Sequence, residues 1–336
     1  MVNMSEAFLP KIPYIKVGTC GPVDLIYARE TEFKDILSAG AEHYGRRSLI
    51  FCDVVSKYWL ELCENLYREE IGHIAERASA PGAYMLNLSF EWSCTSNTAA
   101  DPSGKGNRLL RTLDWPMPGL GRNVVIAGMK GKAGCYENIT WPGFVGVATA
   151  MAPGRFSAAI NQPPMRRLTP FTSLDWGANR WRLWRRRAIP PAHLLRKVFE
   201  ECSNYRGAKK MLMETPIALP SLFTLSGSEG GEGCVIEREE DYAYVRETPA
   251  TVANHWVAGS SSGRSRGIDS VGRYRQMETN QGCSSDNLSW LKPPILNRTT
   301  RIAVVANARR GLLIVQGIEE SGPATQVHTR MENHYI

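Results

Sequence analysis

The stretch NLSFEWSCTSN, residues 87–97, sets a cluster of small polar residues around one thiol, directly behind an alternating apolar run. Tyr84, Leu86, Leu88, Phe90 and Trp92 alternate with Met85, Asn87, Ser89 and Glu91. That period of two predicts a half-buried strand running into Ser93-Cys94. Cys94 itself has four readings: a buried small residue, a disulfide partner, a metal ligand or a nucleophile. The surrounding sequence has to choose among them.

Upstream the chain reads as helical. Residues 22–40 have helical spacing and stop at Gly40, and a second helix is expected over 53–75, with Val55, Trp59, Leu62 and Leu66 in one stripe. Pro81-Gly82 then breaks the chain. Downstream the pattern is almost all strand. CTSNTAA and NRLLRTLDW flank the turn DPSGKG and predict a hairpin, and NVVIAG, FVGVATAM and RFSAAIN read as short strands. A helical block is expected over 173–214, with Leu195, Val198, Phe199 and Cys202 on one face. Strands return in SLFTLSG, GCVIERE, YAYVRE, TVANHWVAG, RIAVVANA and GLLIVQGIE. Strands in runs with helices gathered between them make an α+β fold rather than a doubly wound parallel sheet.

The 336 residues are 43% hydrophobic and 22% charged, which suits a packed globular protein. The net charge of +7 is spread along the chain, so nucleic acid is not an expected partner. No apolar run reaches the ~18 residues of a membrane span, and the first residues lack the pattern of a secretory signal, so a cytoplasmic chain is expected. The eight cysteines, at 20, 52, 63, 94, 135, 202, 234 and 283, form no C-x-x-C pair. The six histidines, at 43, 73, 193, 255, 328 and 334, have no metal-ligand spacing. Neither a metal nor another cofactor is expected.

Two further motifs compete for function. Gly259-Ser260-Ser261-Ser262-Gly263 matches the serine elbow, with Asp269 or Asp286 and His328 as partners for a Ser261 esterase. The Ser/Gly/Arg loop, the poor helical pattern after it and the missing βα alternation weigh against that reading. Residues 176–187, from Trp176 to Arg187, bring three tryptophans among five arginines. They read either as a peripheral lipid contact or anionic-substrate site, or as an exposed helix whose tryptophans pack while its arginines stay solvated.

A nucleophilic thiol needs a base, because a free Cys with pKa near ~8.5 is only slightly ionised at neutral pH. A histidine is one solution. Cutting the chain between Ser93 and Cys94 is another, since the new α-amino group, with a pKa of about 7.7 to 8.0, then sits beside its own thiol.

Cys94-Thr95-Ser96, then RTLDW at 111–115, then WPGFVGVATAMAPGRFSAAIN at 141–161, are similar to the N-terminal-nucleophile hydrolases of linear amides. The nearest branch is that of acid ceramidase and N-acylethanolamine acid amidase, with bile-salt hydrolase, penicillin V acylase and isopenicillin-N acyltransferase more distant. Residues 194–227 and the run GCVIERE to VANHW also resemble it. The resemblance implies a four-layer αββα sandwich, a pro-segment or α-subunit over 1–93 and a catalytic β-subunit over 94–336. It implies Cys94 as nucleophile and new N-terminus, Arg111 against the thiol, Asp114 holding the α-amino group and Asn254 donating to the oxyanion. Asn161 and Arg266 match further site positions. Where N-acylethanolamine acid amidase has an acidic residue, this chain reads Asn161-Gln162. The implied activity is self-processing cysteine amidohydrolysis of a small N-acyl amide. Acyl transfer, a Ser261 esterase and a non-catalytic relative stand as alternatives, with a homo-oligomer open as an arrangement.

Overall fold

The structure is a computed structural model that describes residues 8–18, 21–89, 92–259, 263–264, 266–281 and 286–331. β1 (Tyr14–Lys16) precedes five helices: α1 (Val23–Ala28), α2 (Glu30–Tyr44), α3 (Arg46–Leu62), α4 (Arg68–Arg77) and α5 (Ala83–Asn87). The strand-rich part begins with β2 (Ser93–Ala100), β3 (Asn107–Asp114), β4 (Val125–Gly131) and β5 (Gly134–Thr140). It continues with β6 (Thr149–Ala152), β7 (Phe156–Asn161) and β8 (Met165–Arg166). The central helices are α6 (Thr172–Arg185), α7 (Pro191–Glu201) and α8 (Tyr205–Glu214). Next come β9 (Ser221–Gly227), β10 (Gly233–Arg238), β11 (Ala243–Glu247), β12 (Ala250–Val252), β13 (Gly263–Arg264) and α9 (Ser270–Thr279). The last elements are β14 (Thr300–Asn307), β15 (Leu312–Glu319), β16 (Gly322–Pro323) and β17 (His328–Met331).

The strands form two stacked sheets. One has the order β1-β4-β5-β6-β7-β9-β10-β11 and the other β12-β2-β3-β14-β15-β16, with β17 also on β15. Among the described pairs of the two sheets only β1–β4 is parallel. Between the sheets lies a core that includes Leu109, Leu113, Phe156, Phe223, Val304 and Cys94. On the outside of the first sheet, α7 and α8 bury Leu195, Val198, Phe199 and Leu212. On the outside of the second, Met277 of α9, Trp290 and Ile295 pack with Leu110, Val305 and Ile314. This is the αββα sandwich that the resemblance implies.

Four local expectations are corrected. The alternation at 84–92 does not make a strand. Residues 83–87 turn as α5, because Asp53 accepts the backbone N–H groups of Gly82 (2.6 Å) and Met85 (2.8 Å), in the manner of a cap lent by another helix. Phe90 and Glu91 lie outside the described residues. The helix expected over 53–75 is two helices, broken where Asn65 accepts from Tyr67 N (2.9 Å), so Leu66 leaves the stripe and faces solvent. Gly40 stops nothing: it lies buried inside α2, which ends at Gly45 with φ +83°. Of the three tryptophans in α6, only Trp184 packs, stacked on Tyr58. Trp176 and Trp181 are exposed, with Arg180 and Arg185 over their rings.

The helical segment before Cys94 is clasped to the strand-rich part of the chain. Arg196 of α7 is buried and bonds both carboxylate oxygens of Glu70 (2.6 and 2.8 Å) and Glu200 (2.8 Å), while Tyr67 donates to Glu200 (2.8 Å). Removing the cation leaves two partly buried acids unpaired. Arg196→Met is therefore expected to destabilise the fold by about 2 to 4 kcal/mol in urea unfolding. Beside it, His193 is fully buried and accepts from Asn65 Nδ2 (3.0 Å), and burial pushes its pKa down to about 3. An unfolded His titrates near ~6.5, so between these values the unfolded state binds the extra proton. Stability is accordingly lost as pH falls through that window, by up to about 1.4 kcal/mol per pH unit. His193→Gln is expected to flatten that slope in urea midpoints measured across it.

Candidate active site

The β2–β3 hairpin sets the geometry. Its register puts Ser93 opposite Asp114, Cys94 opposite Leu113 and Ser96 opposite Arg111. The two-residue period of a strand then sends Cys94, Ser96 and Arg111 into the space between the sheets, and Thr95 and Asp114 toward α9.

Cys94 is fully buried. Burial pushes its thiol pKa up, and the Arg111 guanidinium beside it pulls in the opposite direction by charge and hydrogen bond. Arg111 is itself held rigidly. It donates to Thr149 Oγ1 and to the carbonyls of Thr112 (2.9 Å) and Ile160 (3.1 Å). A fixed cation at that place favours a thiolate over a thiol.

Asn254 follows β12 and reaches Cys94 directly. The backbone N–H of Cys94 donates to Asn254 Oδ1 (2.8 Å), and Arg273 Nη2 donates to the same oxygen (2.9 Å). Asn254 Nδ2 donates to the Gln162 carbonyl (2.7 Å), so these partners fix which way the amide points. Its own backbone N–H is held by Ser270 Oγ (2.9 Å), which His255 Nδ1 also contacts (2.8 Å).

Arg273 joins the parts, and sequence reading did not single it out. It is wholly buried in α9 and donates to Cys94 O (2.7 Å), Thr95 Oγ1 (2.7 Å) and Asn254 Oδ1, and it lies 3.5 Å from Asp114. Burial pushes the Asp114 carboxyl up, against the pull of Arg273 and of hydrogen bonds from Asn297 (3.1 Å) and Thr300 (2.9 Å). A signal for α9 existed: Asp269 caps it by accepting from Gly272 N (2.9 Å). Its buried face, though, is Ser270, Arg273 and Met277, so an apolar stripe is missing.

The other two candidates lie around this cluster. Asn161 accepts from Ser96 Oγ (2.9 Å) and donates to the carbonyls of Ala253 (3.1 Å) and Val252 (3.4 Å), tying β7 to β2 and to the end of β12, just before Asn254. Arg266 donates through Nε to the Pro163 carbonyl (2.8 Å) and stands in the wall of a cleft of about 150 Å³. That cleft runs from Gln162 past Trp256 to Trp176 and Leu183 of α6.

Ser261 lies outside the described residues, as do Cys20, Cys283 and His334. The residues named as its partners are engaged elsewhere: Asp269 caps α9, Asp286 pairs with Arg310 (2.5 Å), and His328 sits on β17. The described cysteines, at 52, 63, 94, 135, 202 and 234, are free. Among the described residues no group of three His, Cys, Asp or Glu side chains gathers to hold a metal, and no helix is long and apolar enough to cross a membrane.

In sequence, the chain is 27% identical to acid ceramidase of Bos taurus over 190 residues, 52% of this chain and 46% of that protein. It is 34% identical to acid ceramidase of Homo sapiens over 104 residues, 31% of this chain and 25% of that protein. In structure, it resembles the Caenorhabditis elegans N-acylethanolamine-hydrolyzing acid amidase ortholog, with a TM-score of 0.50 and 19% identity over 64% of this chain and 93% of that one. The chain has the N-terminal-nucleophile hydrolase fold and is similar to the acid ceramidase branch. No family model matches it. It spans less than half the length of the acid ceramidases it matches. Within that branch's likeness, the β2–β3 hairpin, Asn254 and α9 form the candidate centre.

Proposed function

We propose that the chain is a cysteine amidohydrolase that cuts itself before Cys94 and then cleaves linear N-acyl amides. The observation that carries this reading is the hydrogen bond from Cys94 N to Asn254 Oδ1 (2.8 Å), beside a thiol flanked by Arg111. The nitrogen held there is the one that cutting would turn into the α-amine. In the cutting step, Cys94 Sγ bonds to the Ser93 carbonyl carbon and the Ser93–Cys94 C–N bond breaks, its nitrogen taking the thiol proton. Water then resolves the thioester and frees the Ser93 carboxylate. The resulting division is 1–93 and 94–336, and the Arg196–Glu70 clasp keeps the pieces together.

In the mature site the α-amine of Cys94, held by Asn254 and near Asp114, takes the thiol proton. The thiolate attacks the substrate carbonyl, Asn254 Nδ2 donates to the oxyanion, and the α-ammonium protonates the leaving amine. Water completes hydrolysis of the acyl-enzyme; an amine in its place would give acyl transfer. Because Cys94 is wholly enclosed in the uncut chain, substrate access requires the pre-Cys94 segment to shift. Arg273 and Asp114 hold Asn254 and the backbone of Cys94 in register. Exposed Trp176 at the cleft and exposed Trp181 on the same helix support contact with an amphiphilic or lipid surface.

The test is turnover of a panel of N-acyl amino acids, N-acylethanolamines, ceramides and β-lactams. Release of free acid from at least one is expected, and Asn254→Ala should lower kcat by about 10²- to 10³-fold, the usual effect of losing one oxyanion donor. Failure of the whole panel with a cut, thiol-reactive chain would contradict the amidase reading.

A further inference from the structure

We infer that His255 is a positioning residue of the candidate centre: it fixes the Ser270 hydroxyl, which in turn holds the backbone N–H of Asn254. This rests on the amidase reading above and assigns a further residue to the same site. Asn254 is gripped at its backbone N–H and at both ends of its side-chain amide. Oδ1 accepts from Cys94 N (2.8 Å) and Arg273 Nη2 (2.9 Å), Nδ2 donates to the Gln162 carbonyl (2.7 Å), and the backbone N–H donates to Ser270 Oγ (2.9 Å). Nδ2 carries two hydrogens, so the one not on Gln162 is the one the oxyanion would receive. Ser270 and Arg273 stand three residues apart in α9, so one helix face holds Asn254 by its main chain and by its side chain.

Of these holders, Ser270 has the hydroxyl rotor. A serine can turn its hydroxyl onto neighbouring backbone groups instead of a distant partner. His255 removes that freedom, with Nδ1 at 2.8 Å from Ser270 Oγ. In either neutral tautomer, this shared hydrogen bond leaves Oγ a lone pair for Asn254 N–H. The imidazole is itself fixed. It packs edge-on against Tyr274 of α9, with ring centroids 5.2 Å apart. Just beyond it, Glu237 is wholly buried and accepts from the backbone N–H groups of Val257 (3.1 Å), Ala258 (3.1 Å) and Gly259 (3.3 Å). His255 thus sits on a strap tied down at Asn254 on one side and at Glu237 on the other. The described lining of the cleft includes its neighbour Trp256 and not His255. Its effect therefore belongs to the chemical step and not to substrate binding.

His255→Phe keeps a ring against Tyr274 and removes the nitrogen, so it tests the inference with little change in packing. It is expected to lower kcat about tenfold with KM unchanged, since misplacing a reacting group by about 1 Å can cost 10²-fold. His255→Asn puts an amide where Nδ1 stood and should restore most of the rate. Ser270→Ala should lose at least as much as His255→Phe. Adding His255→Phe to Ser270→Ala should then cost nothing further, because the histidine acts through the hydroxyl. Wild-type kcat in His255→Phe, a loss that falls on KM, no restoration in His255→Asn, or losses that multiply in the double variant would each overturn the inference while leaving the amidase reading standing. If the wild-type chain turns over no amide of the panel, the amidase reading fails on its own test, and hydrogen exchange at the Asn254 amide of the full chain decides the inference. Faster exchange in His255→Phe, reversed in His255→Asn, supports the hold through Ser270, and equal exchange in all three chains overturns it.

Discussion

Cys94→Ala is expected to abolish amide turnover and chain cutting together, with a loss of about 10⁴-fold or more in kcat. The effect is large because in the proposed mechanism one atom serves both reactions: Sγ attacks the Ser93 carbonyl first and the substrate carbonyl later. The fold should survive. Cys94 packs as a small buried residue between the sheets, and its backbone bonds to Asn254 and Arg273 do not involve the thiol. Near-unchanged thermal unfolding beside absent turnover and absent thiol labelling at this position is the expected result. Activity that survives Cys94→Ala but is lost in Ser261→Ala would transfer the chemistry to the serine loop.

Arg273→Met is the second substitution with a large expected effect, and it acts on stability and chemistry at once. Arg273 and Asp114 are both wholly buried and 3.5 Å apart. Removing the cation leaves the carboxylate with Asn297 and Thr300 as its side-chain donors among the described residues, and breaking such a buried pair typically costs about 3 to 5 kcal/mol. The double variant Arg273→Met/Asp114→Asn should recover much of that stability, because no uncompensated charge remains. It should not recover cutting, because the donors to Cys94 O and Asn254 Oδ1 are still missing. Urea midpoints and the fraction of cut chain separate the two effects. Recovery of both together would reduce Arg273 to a structural pair.

The sheets were largely legible in the sequence because their strands carry their signal locally. Residues 94–114 announce the hairpin through the DPSGKG turn between two strand-like runs, and β14 and β15 are almost unbroken apolar runs, buried on both faces. The failures have a common cause, in that distant partners decided the local outcome. Residues 84–92 alternate as a strand would, yet Asp53, thirty residues earlier, caps residues 83–87 into a helix. The block 53–75 has helical periodicity throughout, yet the Asn65 turn splits it. Likewise Cys94, Arg111, Asp114 and Asn254 could be named from the order of short motifs. Arg273 could not, since α9 turns a serine and an arginine inward and so hides from any search for apolar periodicity. Arg266, chosen from the loop before α9, stands at the cleft wall.

The proposed chemistry at Cys94 depends on freeing the nitrogen that Asn254 already holds, so the intact mass of the purified wild-type chain tests it most directly. Two co-purifying fragments, one ending at Ser93 and one beginning at Cys94, are the expected result, with Cys94→Ala remaining a single chain. A wild-type chain that stays full-length from acid to alkaline pH, with Cys94 unreactive throughout, would contradict it.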